Sequence, residues 1–376
     1  MSHNAATLRD MQGQLRAIAL TLLAVVATDV PGHSQVPQAL PNNVILITLD
    51  GARIEEMFGG MQIGILQSTL REGQKVEDSP IYRRFWAESP QARREKLMPF
   101  FWKTLMAEHG SIAGNPALGS AVRLNNRHRF SYPGYAEILL GEAHDDAINS
   151  NDPNRNPYTT VLEAMREHLG VAPSQVATVA SWAHFNAIVE HTEGATFVNA
   201  GQEALPGPDH HLLNTLQAET SIPWGDMRHD VFTFNVAMAQ MASHHPRVLY
   251  LALGETDDWA HDGRYDRVLE AYARSDAYLA QLWNWLESQP EYKGRTHLLI
   301  TTDHGRGRTA KDWRDHGARI EGAQDVWMAI ASPAMTRRGE WKAHPPLSTS
   351  QIAATLANWV GLDWNHMRPK AGRPIR

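Results

Sequence analysis

The 376-residue chain contains no cysteine, and that absence removes thiolate metal sites, disulfides and a cysteine nucleophile together. It also lacks a net positive charge: 35 Lys and Arg against 41 Asp and Glu give a formal net charge of −6 and a pI near 6.3. Nucleic-acid scaffolds and basic membrane-surface proteins need clustered Lys and Arg to meet phosphates, so neither class fits, and no stable nucleic-acid partner is expected. Apolar runs long enough to span a bilayer are missing as well. The N-terminal run Ala17 to Ala27 has eleven residues and follows Arg9 and Arg16, which matches a secretory signal better than a span of about 20 apolar residues. Residues 1–35 are therefore expected to be a signal peptide and leader, with a periplasmic or secreted mature chain that has no membrane span. Repeats and low-complexity tracts are absent. What the chain does have is 19 histidines and 41 acidic residues, so any bound metal must be held by imidazole and carboxylate.

Three apolar runs end in acidic residues: VILITLDG (Val44 to Gly51), VLYLALGETDDWAH (Val248 to His261) and HLLITTDHG (His297 to Gly305). Continuous apolar runs read as strands covered on both faces, and in open α/β sheets ligands bind beyond the carboxyl ends of the strands. Further strands are expected at 175–180 and 326–331, and helices at 159–170, 231–243, 265–287 and 350–361, which gives a βαβ rhythm. The fold class that follows is α/β, a three-layer α/β/α sandwich with a mostly parallel central sheet. A single catalytic domain is expected over 43–365, with 60–128 and 185–230 as possible cap insertions poor in strand signals.

Within FSYPGYAEILLGE (Phe130 to Glu142), Ser131 precedes a proline tolerated in a first helical turn and an apolar segment that closes at Gly141. A lone serine there is usually a cap, but the free amides and dipole of a helix N-terminus also favour an alkoxide or a phosphate. Its companions are Asp50, Asp257, His261, Asp303, His304 and His316. Together they resemble the alkaline phosphatase superfamily, specifically its type I phosphodiesterase/nucleotide pyrophosphatase branch, over roughly residues 43–362. SYPGY is similar to the nucleophile segment of that family and STSQIAATLANWVGL to its C-terminal helix. The resemblance implies one metal on Asp50, Ser131, Asp303 and His304, and a second on Asp257, His261 and His316. Asp258 competes with Asp257, one residue away; the four-residue spacing to His261 favours Asp257. Asn151, or else Asn149, falls where the resembling diesterases hold a non-bridging phosphate oxygen.

Imidazole and carboxylate ligands suit two zinc ions first and manganese second, since octahedral magnesium asks for more oxygen and water. The expected activity is a phosphodiesterase working through a phosphoseryl intermediate on Ser131, with a small phosphate ester as substrate. A phosphomonoesterase is the nearest rival; it needs added cations, for which Arg127, Arg129, Arg264, Arg306 and Arg308 are candidates. A sulfatase fits less well, because its formylglycine segment carries an arginine where this chain has Tyr135. A non-catalytic metal-binding protein would have no use for a nucleophile. His128, His144 and His184 are possible pocket residues, and Trp182, Trp259 and Tyr135 serve either as stacking surfaces or as core.

Overall fold

A computed structural model describes residues 42–375; the expected signal segment lies outside them. Eight strands form the main sheet in the order β10-β2-β9-β7-β1-β6-β4-β5. They are β1 (Asn43–Leu49), β2 (Gly110–Ala113), β4 (Val176–Ala180), β5 (Phe197–Ala200), β6 (Val248–Leu253), β7 (Thr296–Thr301), β9 (Met328–Ala331) and β10 (Gly339–Glu340). A small second sheet joins β3 (Val122–Arg123), β8 (Asp325–Val326) and β11 (Leu347–Ser348). Only β9 runs against its neighbours in the main sheet. At the centre β1 lies parallel between β6 and β7, with Leu46 level with both Tyr250 and Leu299.

Strand β1 is buried at every position, and its alternating side chains feed two cores. Ile45, Ile47 and Leu49 pack with Val268, Leu269, Tyr272, Leu279 and Leu282 of the helix Tyr265–Ser288. Val44 and Leu46 face the opposite layer, with Ile138 and Leu139 of the helix Ser131–Leu140 and Ile352 and Leu356 of the helix Ile352–Trp359. The period of two in a strand thus divides one apolar run between two helical layers, which is the expected three-layer sandwich.

Local signals account for the helix ends near the site. Thr160 and Glu163 form a reciprocal capping box before Val161–Leu169, and Gly170 ends that helix at φ 62°. Gly141 closes Ser131–Leu140 in the same left-handed manner. The stretches 60–128 and 185–230 differ from expectation in one respect. Each supplies a strand to the main sheet, β2 from the first and β5 from the second, so both are tied into the sheet rather than wholly set upon it. Strands of only four residues with mixed composition carry too little periodicity to read. No helix among the described residues is long and apolar enough to cross a membrane.

Candidate metal centre

Parallel strands β1, β6 and β7 end at one edge, and Asp50, Gly254 to His261, and Asp303 with His304 follow them there. Backbone turns at this edge are close-packed. Gly51 has φ 58°, and a Cβ on it would stand 2.4 Å from Asp257 Oδ1; a Cβ on Gly134 would stand 2.3 Å from the Asp303 carbonyl oxygen. The glycine of LDG therefore lets the turn after β1 approach Asp257, and that of SYPG lets the Ser131 helix approach Asp303.

Ser131 is the first residue of a ten-residue helix buried at every position. Pro133 has no N–H, and the Tyr132 amide donates to Asn151 Oδ1 at 2.9 Å, which leaves the Ser131 amide as the donor of the first turn. Ser131 Oγ lies 3.4 Å from His304 Nε2. The same nitrogen is 3.4 Å from Asp50 Oδ1, 3.5 Å from Asp303 Oδ2 and 3.7 Å from Asp257 Oδ1. His304 Nδ1 donates to the Gly305 carbonyl at 3.0 Å, so in the neutral ring Nε2 presents a lone pair. The His304 lone pair, two carboxylate oxygens and the Ser131 hydroxyl thus converge on one point. Asp50 Oδ1 and Asp303 Oδ2 have no hydrogen-bond partner, although both residues are buried. Burial, followed by the charges of Asp303 and Asp257, holds Asp50 well above the usual carboxylate range. Asp303 is pushed up to about 8 by burial and by Asp257, while burial and His316 hold His304 well below its ordinary value. A divalent cation satisfies this donor set, and the residues fit one.

Beside it lies a second set. His261 Nε2 is 3.1 Å from Asp257 Oδ2 and 3.0 Å from His316 Nε2. His316 Nδ1 donates to the Arg129 carbonyl at 3.3 Å, so His316 also turns a lone pair inward. One proton on His261 cannot serve both neighbours, whereas one cation can. Donor atoms of Asp257, His304 and His316 lie within 4.8 Å of one another, as do those of Asp50, Asp303 and His304, so His304 stands between the two sets. Its ring stacks on His316 with centroids 4.0 Å apart. Burial would raise the Asp257 pKa, but Arg306, His261 and His316 outweigh it and hold the carboxyl well below its ordinary value. Burial likewise takes His316 down to about 4.

The geometry separates the pairs that the sequence left open. Asp257 faces His261, whereas Asp258 Oδ2 is buried without a partner, and burial with the Asp257 charge raises its pKa well above the ordinary value. Both 257 and 258 lie within reach of 261 on the helix Glu255–His261, and it is the Asp257 carboxylate that meets the ring, at the i,i+4 spacing. Asn151 sits against the start of the Ser131 helix, where its Oδ1 accepts the Tyr132 amide, and its backbone carbonyl accepts from His184 Nδ1 at 2.8 Å. Asn149 instead donates to the Asp146 carbonyl within its own turn, and no hydrogen bond joins it to the Ser131 cluster. His128 bonds the Asp145 carbonyl and His144 stacks on Tyr158, both outside the two ligand sets.

Some functions at the site were not legible beforehand. Tyr135, weighed only as a stacking or core residue, donates its O–H to Asp50 Oδ2 at 2.8 Å from a buried position. Arg306, weighed as a phosphate contact, is buried and donates to both Oδ1 and the backbone oxygen of Asp257. The four-residue spacing of Tyr135 from Ser131 on an apolar helix was the only available signal for the first. Trp182 lies tilted against His184 and Trp259 meets Trp224 edge-to-face, with centroids 4.4 Å and 4.6 Å apart.

The sequence model of the family described as type I phosphodiesterase / nucleotide pyrophosphatase matches residues 141–354. The matched stretch contains Asp257, His261, Asp303, His304 and His316; Asp50 and Ser131 precede it. No curated protein matches the sequence. Among solved structures, wild-type alkaline phosphatase PafA superposes with a TM-score of 0.54 at 11% identity, covering 90% of this chain and 99% of that one. The phosphonate monoester hydrolase of Silicibacter pomeroyi gives 0.51 at 12% identity, covering 89% and 76%. The protein Ps i-CgsB, solved with k-i-k-neocarrahexaose, gives 0.51 at 14%, covering 89% and 75%. At these identities the likeness is one of fold.

Proposed function

The chain belongs to the type I phosphodiesterase / nucleotide pyrophosphatase family and is a hydrolase of phosphoric ester bonds; from that premise we propose that it is a two-metal phosphodiesterase that uses Ser131 as its nucleophile. Asp50, Asp303, His304 and Ser131 would hold one ion, and Asp257, His261 and His316 the other, with zinc the first choice for a set of imidazoles and carboxylates. When bound, the ions supply positive charge to the attacking and leaving oxygens and favour the ionised serine.

The remaining work belongs to side chains. Ser131 Oγ, at the start of a rigid buried helix, attacks phosphorus; the ester oxygen departs, and water then cleaves the phosphoseryl ester to restore the serine. Asn151, whose Oδ1 is occupied by the Tyr132 amide, has its Nδ2 free to donate to a non-bridging phosphate oxygen. Tyr135 keeps Asp50 oriented and, with burial holding its own pKa well above the ordinary value, remains a donor throughout.

The preference for diesters rests on what the arginines are doing. A monoester dianion needs one more cation than a diester monoanion, and four of the five candidate guanidinium groups are already paired with carboxylates. Arg127 pairs with Asp145 and Asp146, Arg264 with Asp266, Arg306 with Asp257, and Arg308 with Asp325 and Glu55. Arg129 has no carboxylate partner among the described residues: it donates to the Ala318 carbonyl at 3.3 Å, and its Nε is buried without a hydrogen-bond partner. Export is proposed only from Arg9, Arg16 and the apolar run that follows, and N-terminal sequencing of the mature protein tests it.

The observation that carries the proposal is the convergence of Ser131 Oγ, Asp50 Oδ1 and Asp303 Oδ2 on His304 Nε2 within 3.5 Å. Its test compares hydrolysis of bis-p-nitrophenyl phosphate and p-nitrophenyl phosphate by the zinc-loaded protein, with Ser131→Ala as the blank. A diester preference lost in the variant supports the proposal. A monoester preference moves the assignment to phosphatase, and turnover that survives both the substitution and a chelator removes the mechanism.

A further inference from the structure

Arg129 has φ 56°, a left-handed backbone that side chains other than glycine adopt only at a steric cost. Such a conformation persists where the surroundings over-determine it. Here Asn126 Oδ1 accepts the Arg129 N–H at 2.8 Å. Asn126 is itself pinned by the buried Glu137, which accepts its backbone N–H and its side-chain amide, each at 2.9 Å. Glu137 also takes the hydroxyls of Thr349 and Ser350, at 2.7 Å each, so the anchor reaches the C-terminal helical layer. On the other side of the turn, the Arg129 carbonyl accepts from His316 Nδ1, and the chain enters the nucleophile helix two residues later. A carbonyl only accepts, so this contact fixes both the tautomer and the orientation of His316.

We propose that Arg129 is a positioning residue that acts through its backbone: the turn anchored by Glu137 and Asn126 aims its carbonyl at His316 and thereby preorganises the second ligand set. The inference rests on the two-ion reading above. It makes the guanidinium dispensable for ion binding and the left-handed conformation essential to it. An ordinary helical or extended φ at 129 turns the carbonyl away, frees the His316 ring and leaves Asp257 and His261 without their third partner.

The test is a competitive zinc titration of the metal-stripped full chain against a chromophoric chelator, with cobalt(II) absorption as a second readout of histidine ligation. Arg129→Gly and Arg129→Val both delete the guanidinium, but only valine resists φ > 0. Expected is a glycine variant within about threefold of the parent at both binding steps, and a valine variant whose second step is weaker by about tenfold or more while the first is kept. Equal loss in both variants assigns the effect to the side chain and overturns the proposal, as does a valine variant with parental affinity. If the valine variant does not fold, Asn126→Ala takes its place with the same expectation. A parent protein that binds fewer than two ions overturns the two-ion reading itself, and the dependence on Arg129 with it; a two-ion parent with no difference between the variants overturns the positioning role alone.

Discussion

Replacing Tyr135 by phenylalanine removes one oxygen and nothing else from a side chain that is 1% exposed and packs edge-on against Phe185, with centroids 4.7 Å apart. That oxygen is the donor to Asp50 Oδ2 at 2.8 Å, and Asp50 Oδ1 has no hydrogen-bond partner at all. Hydrogen bonds to a charged group contribute about 1.5–3 kcal/mol, which corresponds to roughly 10- to 150-fold in an equilibrium constant. Asp50 already titrates well above the usual range because it is buried beside Asp303 and Asp257. Loss of the donor raises it further, so an ion must displace a proton more often, and the affinity of the first ligand set should fall about 10- to 100-fold near pH 7. The deficit should shrink as pH rises, because the proton competes less with the ion. Competitive zinc titration at pH 7 and pH 9 measures this, with thermal unfolding as the check on folding. A variant with parental affinity, or with a deficit identical at pH 7 and pH 9, refutes the argument that Tyr135 acts on the ionisation of Asp50.

Asn151→Ala should lower kcat/KM for a diester by about 10- to 100-fold, since it deletes a donor poised at the nucleophile, whereas Asn149→Ala should stay within about threefold; parallel kinetics on the two variants decide the assignment. Gly134→Ala forces a Cβ to 2.3 Å from the Asp303 carbonyl, so the helix must shift, costing about 1–3 kcal/mol of stability by denaturant melts and a disproportionate share of turnover. The metal-stripped protein should lose stability as pH rises from 6.5 to 8. Asp303, with a folded pKa near 8 that burial and Asp257 have raised, binds its proton more tightly folded than unfolded, so folding is favoured below that pH and the advantage drains away through it. His304 and His316, both lowered by burial, act in the opposite sense, but only below about pH 6.5, where the unfolded imidazoles take up protons. Melting curves without metal should show a fall of order 1–2 kcal/mol across that window, and zinc should abolish it; a flat profile contradicts the assignment.

Much of the candidate centre was visible in the sequence because its proposed ligands sit at fixed offsets from the strongest local signals in the chain. An apolar run buried on both faces announces a strand, and Asp50, Asp257, Asp303 and His304 follow such runs by one to four residues. The Ser131 helix was legible for the same reason, between a tolerated proline and a closing glycine. Strands β2 and β5 were not, since four residues without alternation do not distinguish sheet from loop.

By itself, then, the sequence determined the kind of chemistry: without cysteine the ligands had to be imidazole and carboxylate, and strand order placed them on one edge of a parallel sheet. The tertiary structure decided which atoms meet. It turned Asp257 rather than Asp258 towards His261, brought Asn151 rather than Asn149 to the Tyr132 amide beside Ser131, spent Arg306 on Asp257, and set the Tyr135 hydroxyl under Asp50 across 85 residues of chain. Each of those choices depends on helix phase and on the path of loops between distant segments, and neither leaves a periodic mark in the residues concerned.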